Sequence, residues 1–516
     1  MRLTHQLRQM QPIILERMNK KVKYQFCYEP EDGWVGDVIP CSDGKELFLY
    51  YLKEKRIDGI PANRTTWNLL TGTSPVELEE YGIALPTGGE QDVDRSCYTG
   101  SIVYAGDGIW HMYYTAQNSA DQRYWKNGRP MQCIAHAEST DRKRWKKDPK
   151  FLLGAPEGFN PCEWRDPYVY RSREEEIWRM LVSARPIYGL LRRAGCIYSL
   201  RSTDLKSWEW EGVFYAPNTY EMLECPECFQ MGDRWYLIFS TFSEKYVTHY
   251  RIGQSPTGPW KIPGNDTFDG RAFYAGKTAE LQGKRMLFGW IPTRNENSDF
   301  GKWEWAGSLG VHELYQEEDG TLSVRMPEAI RAECKKTMSV MRKSMIGRYL
   351  WSKDNLQIQA EDQYSEIFFE KLPHCGLLQG KLSFSENTRA FGIHLHADTS
   401  LARGYFYRME PLYQRVVFDQ WPRSQWKEPI IPNYFENDRP FDAGLERPVQ
   451  LKAGIPVELE LFIDGDICIL YLDKKVALTA RCSHYDRPLF GIFAEGGSVT
   501  VMNLKCQTVD QKEKEN

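Results

Sequence analysis

The sequence predicts an all-β chain, a five-bladed β-propeller followed by a C-terminal β-sandwich. Two interleaved repeats and one change of texture carry that expectation. A strand-like run returns five times in the first two thirds of the chain, and a serine-led turn ending in a tryptophan returns about four times among those runs. Beyond Glu333 the long repeat gives way to short alternating strands.

Taken in order, Met1 to Lys21 reads as a helical extension, with Leu7, Met10, Ile14 and Met18 at helical spacing. It lacks the continuous apolar core of a secretory signal, and no stretch approaches the roughly 20 apolar residues that cross a bilayer. Thirteen cysteines without framework spacing then favour reduced thiols and a cytoplasmic location. A net charge of -4 gives no reason to expect nucleic acid or a membrane surface as partner. The 17 Trp, 29 Tyr and 23 Phe suit both β-structure and sugar stacking.

Residues 22–335 hold the propeller repeats. The five runs are Glu46 to Tyr51, Ile109 to Tyr114, Ile177 to Val182, Arg234 to Phe239 and Lys284 to Trp290. Their spacing, roughly 50–70 residues, is that of a four-stranded blade. The second repeat reads Glu138-Ser-Thr-Asp141 leading to Trp145, Arg201-Ser-Thr-Asp204 leading to Trp208, and Gln254-Ser-Pro256 leading to Trp260. Thr73-Ser-Pro75 is a looser copy, and the pattern fits a strand-to-strand corner met once per blade.

Residues 336–510 read as the sandwich. Its strand candidates are Phe391 to His396, Gly404 to Tyr407, Arg415 to Phe418, Val457 to Phe462, Ile467 to Tyr471 and Gly496 to Val501. Ile463-Asp-Gly-Asp466 signals a hairpin turn. Residues 511–516 form a polar tail expected to fray, and with no low-complexity linker the two domains are expected to pack tightly.

About ten residues upstream of each propeller run stands a distinctive segment. These are Gly33-Trp-Val-Gly-Asp37, Cys97-Tyr-Thr-Gly-Ser101, Trp164-Arg-Asp-Pro167, Leu223-Glu-Cys-Pro-Glu227 and Phe273-Tyr-Ala-Gly-Lys277. The innermost strand of a blade lines the central channel, so equal offsets place all five segments at one end of it. Three of them carry carboxylates, Asp37, Asp166 and Glu224. Any one alone reads better as a carboxylate satisfying backbone donors at a blade corner. Three at matched offsets in an aromatic funnel read as glycoside cleavage, in which one group acts at the anomeric carbon and another protonates the leaving oxygen. Cys225 and Cys228 lack a second such pair to complete a zinc site, so no metal and no cofactor is expected.

These segments resemble glycoside hydrolase family 32, the invertase, inulinase and levanase family, whose members join a five-bladed propeller to a β-sandwich. Arg165-Asp166-Pro167 matches the family's Arg-Asp-Pro motif and Glu224-Cys225-Pro226 its Glu-Cys-Pro motif. Cys97 to Ser101, Phe273 to Ala275, Gly289-Trp290 and Phe490 to Leu504 resemble further family segments, so the resemblance spans nearly the whole chain after residue 22. It implies Asp37 as nucleophile, Glu224 as acid/base and Asp166 as the carboxylate that holds fructose hydroxyls. Arg165 would support Asp166, and Trp34, Trp67, Tyr98, Thr99, Cys225, Tyr274 and Trp290 would line the sugar pocket. The implied reaction is retaining release of fructose from a short fructo-oligosaccharide or related fructoside, by double displacement.

The first motif departs from the family's Trp-Met-Asn-Asp-Pro-Asn-Gly, reading Trp34-Val-Gly-Asp-Val-Ile-Pro40, so Gly36 replaces an asparagine expected to bond a sugar hydroxyl. A glutamine usual on the next strand is replaced around Leu52, and Gly310-Val-His-Glu-Leu314 stands where Pro-Arg-Glu-Leu is common. His312 reads as a structural hydrogen-bonder, and Lys277 and Arg185 read equally as substrate contacts or ion-paired side chains. Two other readings fit the same residues. One is an inverting furanosidase of a related five-bladed family acting on arabinosides or xylosides, and the other is a carbohydrate-binding protein without turnover. Assembly into a homo-oligomer stays open.

Overall fold

A computed structural model describes residues 21–23, 26–57, 60–61, 64–171, 176–351, 355–398, 403–421, 444–483 and 487–509. Of the expected N-terminal helix only Lys21 falls within these; it opens a short strand, Lys21–Lys23, paired with Glu77 to Glu79. Asn63, which opens the Asn-Arg-Thr tripeptide of an N-glycosylation acceptor, and the tail 511–516 lie outside the described residues.

Five blades close a ring. Their innermost strands are Trp34–Ser42, Ser96–Tyr104, Arg165–Arg171, Glu224–Met231 and Tyr274–Leu281. Each packs against its neighbours, with the fifth meeting the first. The five apolar runs read from sequence are the second strands, Leu47–Glu54, Trp110–Gln117, Trp178–Ala184, Arg234–Thr241 and Lys284–Arg294, paired antiparallel to the inner ones. They are buried on both faces, which is why they read as continuous apolar stretches rather than as alternation.

The serine-led turns join third and fourth strands, and their chemistry explains the repeat. Ser139 Oγ accepts from the backbone N–H of Asp141 and Arg142, while Asp141 Oδ1 accepts from those of Lys143 and Arg144. Ser202 and Asp204 repeat the arrangement atom for atom. The tryptophan that follows, Trp145, is buried against the second blade. The fourth blade is thinner: three strands pair fully, and outside them only the bridges His249 to Thr267 and Ile252 to Lys261 stand in for a fourth.

One device recurs in all five inner strands. Each slips register by one residue against its second strand, between Val35 and Val38, Tyr98 and Gly100, Arg165 and Tyr168, Glu224 and Glu227, and Tyr274 and Lys277. Such a bulge turns side chains that a regular strand would bury toward the channel mouth. Asp166, Cys225 and Ala275 occupy equivalent bulge positions, with φ of 60°, 50° and 54°. That left-handed backbone is uncommon outside glycine and is held at functional sites by its surroundings.

After the last blade strand, Leu322–Arg325, a short helix Glu328–Glu333 leads into the sandwich. One sheet orders Arg348–Trp351, Asn355–Gln359, Ser498–Thr508, Cys375–Phe384, Val457–Asp464, Ile467–Leu472 and Val476–Arg481. The other contains Tyr364–Glu370, Leu489–Glu495, Ala390–Leu395, Gly404–Glu410 and Arg415–Trp421 at its centre. The expected hairpin turns through Gly465, φ 62°, between Asp464 and Ile467.

The domains share a buried polar seam. His312 is fully buried, one ring nitrogen 2.9 Å from the Tyr471 hydroxyl and the other 3.0 Å from Asp269 Oδ2. The Thr479 N–H donates to Asp269 Oδ1 at 2.8 Å. His312 is therefore a structural hydrogen-bonder, though it lies at the domain seam rather than at a free blade edge. Burial works against the Asp269 charge, but His312 and Thr479 hold its carboxyl below the usual range.

Candidate active site

The bulged ends of the inner strands surround a cavity of about 610 Å³. Asp37, Asp166 and Glu224 all line it, as do Tyr98, Thr99, Arg165, Cys225, Tyr274 and Trp290. The three carboxylates come from three different places in equivalent bulges: Glu224 precedes its bulge, Asp166 occupies the left-handed position, and Asp37 takes the position after it. Rotating the slot from blade to blade lets acids from separate strands converge without standing in one row.

Asp37 is held on both oxygens. The Trp290 indole N–H donates to Oδ1 at 2.8 Å, and the Thr99 hydroxyl donates to Oδ2. The Cys225 thiol reaches Oδ2 at 3.8 Å. Burial and the charge of Glu224 raise the carboxyl above its ordinary range, against the pull of Thr99, Trp290 and Lys277. Two fixed donors also orient the carboxylate, leaving rotation about its own bond restricted.

Cys225 joins two of the acids, because its backbone N–H donates to Asp166 Oδ2 at 3.0 Å. The Asp166 N–H is satisfied in turn by Thr115 Oγ1 at 2.8 Å. Burial pushes the Asp166 carboxyl up to about 6; Glu224 and Asp37 add to the rise, and Arg165 opposes it. Glu224 accepts from Arg165 Nη2 at 2.8 Å on Oε1 and from the Tyr274 hydroxyl at 2.6 Å on Oε2. The other Arg165 nitrogen, Nη1, donates to Glu163 Oε2 at 2.7 Å and to Gln132 Oε1 at 3.2 Å. Burial disfavours the Arg165 charge, but Glu224, Asp166 and Glu163 outweigh it and hold the guanidinium above its ordinary value. Its fork therefore fixes Glu224 relative to Glu163.

Two expected pocket residues lie elsewhere. Trp67 is fully buried in the core of the first two blades, its indole N–H donating to the Tyr98 carbonyl at 3.0 Å, so it supports the pocket wall without reaching sugar. Trp34 does not line the cavity either; the Arg56 guanidinium stacks 4.2 Å over its ring. Arg56 then bonds Glu304 Oε2 at 2.8 Å, Thr293 Oγ1 at 3.0 Å and the Trp305 carbonyl. Lys277 lies beneath the cavity, buried, with Nζ 3.2 Å from the Gly100 carbonyl. Arg185 is ion-paired to Glu163 and Glu221.

Sequence reading missed the wall made by Trp303, Glu304 and Trp305 with Tyr246 and Arg271. Trp305 decides the meaning of Gly36. A Cβ on Gly36 would lie 2.6 Å from Trp305 Cη2 and 2.7 Å from Cζ2, so the indole fills the place of the absent side chain. Trp305 also meets Trp290 edge-on, with ring centres 6.2 Å apart. Leu52, where the second polar departure falls, is fully buried in the core.

Residues 28–323 match the family described as glycosyl hydrolases family 32 N-terminal domain. A sucrose-6-phosphate hydrolase of Escherichia coli is 25% identical over 423 residues, covering 77% of this chain and 81% of that protein. A raffinose invertase of Escherichia coli is 29% identical over 339 residues, 60% of this chain and 66% of that protein. Among solved structures, the sucrose-6-phosphate hydrolase of Lactobacillus gasseri superimposes with a TM-score of 0.67 at 18% identity, over 94% of this chain and 93% of its own. The Bombyx mori β-fructofuranosidase BmSUC1 does so with a TM-score of 0.66 at 16% identity, over 98% and 99%. These likenesses bear out the propeller and sandwich architecture.

Proposed function

The chain belongs to glycoside hydrolase family 32, and from that premise we propose that it is a retaining, exo-acting fructoside hydrolase whose substrate is a short, uncharged fructoside. The observation that carries this reading is the convergence of Asp37, Asp166 and Glu224 at one cavity, each carboxylate oriented by its own fixed donors.

Asp37 attacks the anomeric carbon while Glu224 gives its proton to the departing oxygen, leaving fructose esterified to Asp37. Glu224, now a carboxylate, takes a proton from water, and the water oxygen attacks the same carbon to release fructose and restore Asp37. Arg165 and Tyr274 keep Glu224 in place through both steps. Asp166 holds ring hydroxyls and offsets the positive charge that develops on the sugar. No step calls on a metal or cofactor.

Exo action is supported by a contact across the channel, where Lys277 of the fifth blade reaches the Gly100 carbonyl of the second. An uncharged substrate is supported by the lining, which carries five carboxylates against three guanidiniums. That excess of negative charge opposes a phosphorylated sugar. Trp305, in place of the polar side chain lost at Gly36, offers a sugar an apolar face and not a hydrogen bond.

Release of fructose from sucrose, sucrose 6-phosphate, kestose, inulobiose, levanbiose and difructose anhydrides tests the reading, with wild type beside Glu224→Ala. Fructose set free by the wild type and lost in the variant supports it; preference for the phosphorylated sugar overturns the uncharged substrate. Release of arabinose or xylose with inversion, and none of fructose, would favour the furanosidase. Saccharide binding without cleavage of any glycoside would favour the binding protein.

A further inference from the structure

Away from the cavity, in the sandwich near its seam with the propeller, three metal-binding side chains meet in the dark interior. His396 follows the strand Ala390–Leu395 of one sheet. Cys468 lies in Ile467–Leu472 of the other sheet, and Cys482 directly follows Val476–Arg481 of that same sheet. All three are buried, and one ligand atom from each lies within 4.8 Å of the other two.

The spacing of the two sulfurs suits a shared metal ion as well as a thiol hydrogen bond and is too long for a disulfide, so the histidine decides between them. The two sulfurs stand 3.7 Å apart. Two thiolates at about 2.3 Å from a tetrahedral zinc ion stand roughly 3.8 Å apart, whereas a disulfide would bring them to about 2.05 Å. His396 is set up as a ligand. Its Nδ1 lies 3.1 Å from the Arg487 carbonyl, which can only accept, so the ring proton sits on Nδ1 and the Nε2 lone pair is free. Nε2 is buried and has no hydrogen-bond partner among the described residues. A histidine that gives one N–H to a backbone carbonyl and turns its other nitrogen to the ion is the usual metal-bound arrangement. His396 also holds the left-handed conformation, φ 55°, a strain kept where the surroundings require one side-chain direction.

We propose that His396, Cys468 and Cys482 hold one zinc ion that clips the two sheets of the sandwich together beside the propeller. Binding releases two thiol protons to solvent, and two thiolates cancel the charge of a divalent ion, so the buried centre is neutral and escapes the large cost of an isolated charge. A monovalent soft ion would leave a net negative charge there. The fourth position falls to a water, and the Ser483 hydroxyl, buried without a partner among the described residues and one residue beyond Cys482, is available to hold it. From this corner the Ser483 N–H and the Tyr405 hydroxyl donate to Asp299 of the propeller, at 3.1 and 2.6 Å. The ion would therefore also brace the seam between domains.

Metal analysis of the full chain, purified without an affinity tag from zinc-supplemented cells, is the test. About one zinc per chain is expected, lost in Cys482→Ser and retained in Cys506→Ser, which removes an equally buried thiol outside the cluster. Replacement by cobalt should give the intense near-ultraviolet absorption of thiolate-bound metal. If Cys482→Ser fails to fold, the zinc content and cobalt spectrum of the wild type decide the matter. Wild-type protein with less than about a tenth of an equivalent of metal overturns the proposal. So does a Cys468–Cys482 disulfide mapped after alkylation without reductant, and a full equivalent of a different metal overturns the assignment to zinc.

Discussion

The edge of the Trp305 indole lies where a side chain on Gly36 would begin, 2.6 Å from the position of its Cβ. Position 36 and position 305 therefore compete for one volume beside Asp37, the proposed nucleophile. Overpacking a filled site typically costs about 1–3 kcal/mol. Gly36→Asn alone is expected to lower the melting temperature and to reduce kcat/KM at least about tenfold, whereas Gly36→Asn combined with Trp305→Ala should recover part of both losses. The check is a double-mutant cycle on fructose release and thermal unfolding. Strictly additive losses would show that the two positions do not share the space.

Glu224 is expected to serve both halves of the reaction, which makes its removal diagnostic. Glu224→Gln should lower turnover of a natural fructoside by about 10²–10⁴-fold. With a substrate whose leaving group needs no proton, Asp37 can still attack, so a burst should precede a slow steady state. Mass spectrometry should then find fructose covalently attached to the peptide carrying Asp37. A variant that hydrolyses such a substrate with inversion and without a burst would contradict the assignment.

Asp166 should cost the protein stability at neutral pH. Its folded pKa, about 6, lies above the unfolded value of about 3.9, so the native state binds the proton more tightly. Stability is therefore drained as pH rises from about 4 to 6, and the loss is complete above the folded value. Asp166→Asn should remove that loss, raising stability by about 1–3 kcal/mol at pH 7.5 and by little at pH 4, while abolishing turnover. Denaturant unfolding at the two pH values measures it. Equal effects at both would show that the raised pKa is not the cause.

Trp67 and Trp34 should behave as scaffold. Trp67→Ala is expected to destabilise by about 3–5 kcal/mol, as for other large core truncations, with KM of the folded fraction little changed. Trp34→Ala should act less on stability and more on the pocket, because it frees Arg56, which ties the strand bearing Trp305. Titration of active sites with a trapped fructosyl intermediate separates folded fraction from intrinsic rate.

The repeats made the propeller legible, since each second strand is buried on both faces and the third-to-fourth turns of the second and third blades need the same serine and aspartate oxygens. The acids could be read because each stands about ten residues before its second strand. What escaped was tertiary. Trp303 to Trp305 carry no motif, and nothing local distinguishes their indoles from the other tryptophans of the chain. Trp67 and Trp34 drew attention as aromatic residues near a motif, yet burial and a stacking arginine remove them from the sugar. The thiol pair that drew notice, Cys225 and Cys228, splits: one faces the acids and the other donates toward the Pro256 carbonyl. The pair that meets a histidine stands 14 residues apart, a separation that only a hairpin brings together. In the sandwich, Tyr364–Glu370 and Cys375–Phe384 went unread because charged and glycine residues interrupt their alternation, and Asn355–Gln359, which does alternate, because it offers only two apolar residues.

The single extra residue in each inner strand has a consequence for inheritance. A bulge sets two residues against one without changing the partners of the residues that flank it, so loss of one codon there would straighten the ladder, keep the flanking register and remove the turn that aims the bulged side chains at the channel mouth. Deleting Pro226, for instance, would leave Glu224 opposite Ser240 and Glu227 opposite Ile238, and yet flatten the bulge that holds Cys225 at φ 50° with its N–H on Asp166. Point substitutions can move along this family's pocket one side chain at a time. Length changes in these ten or so positions cannot, and drift in the gene should be silent there far less often for an insertion or deletion than for a change of letter.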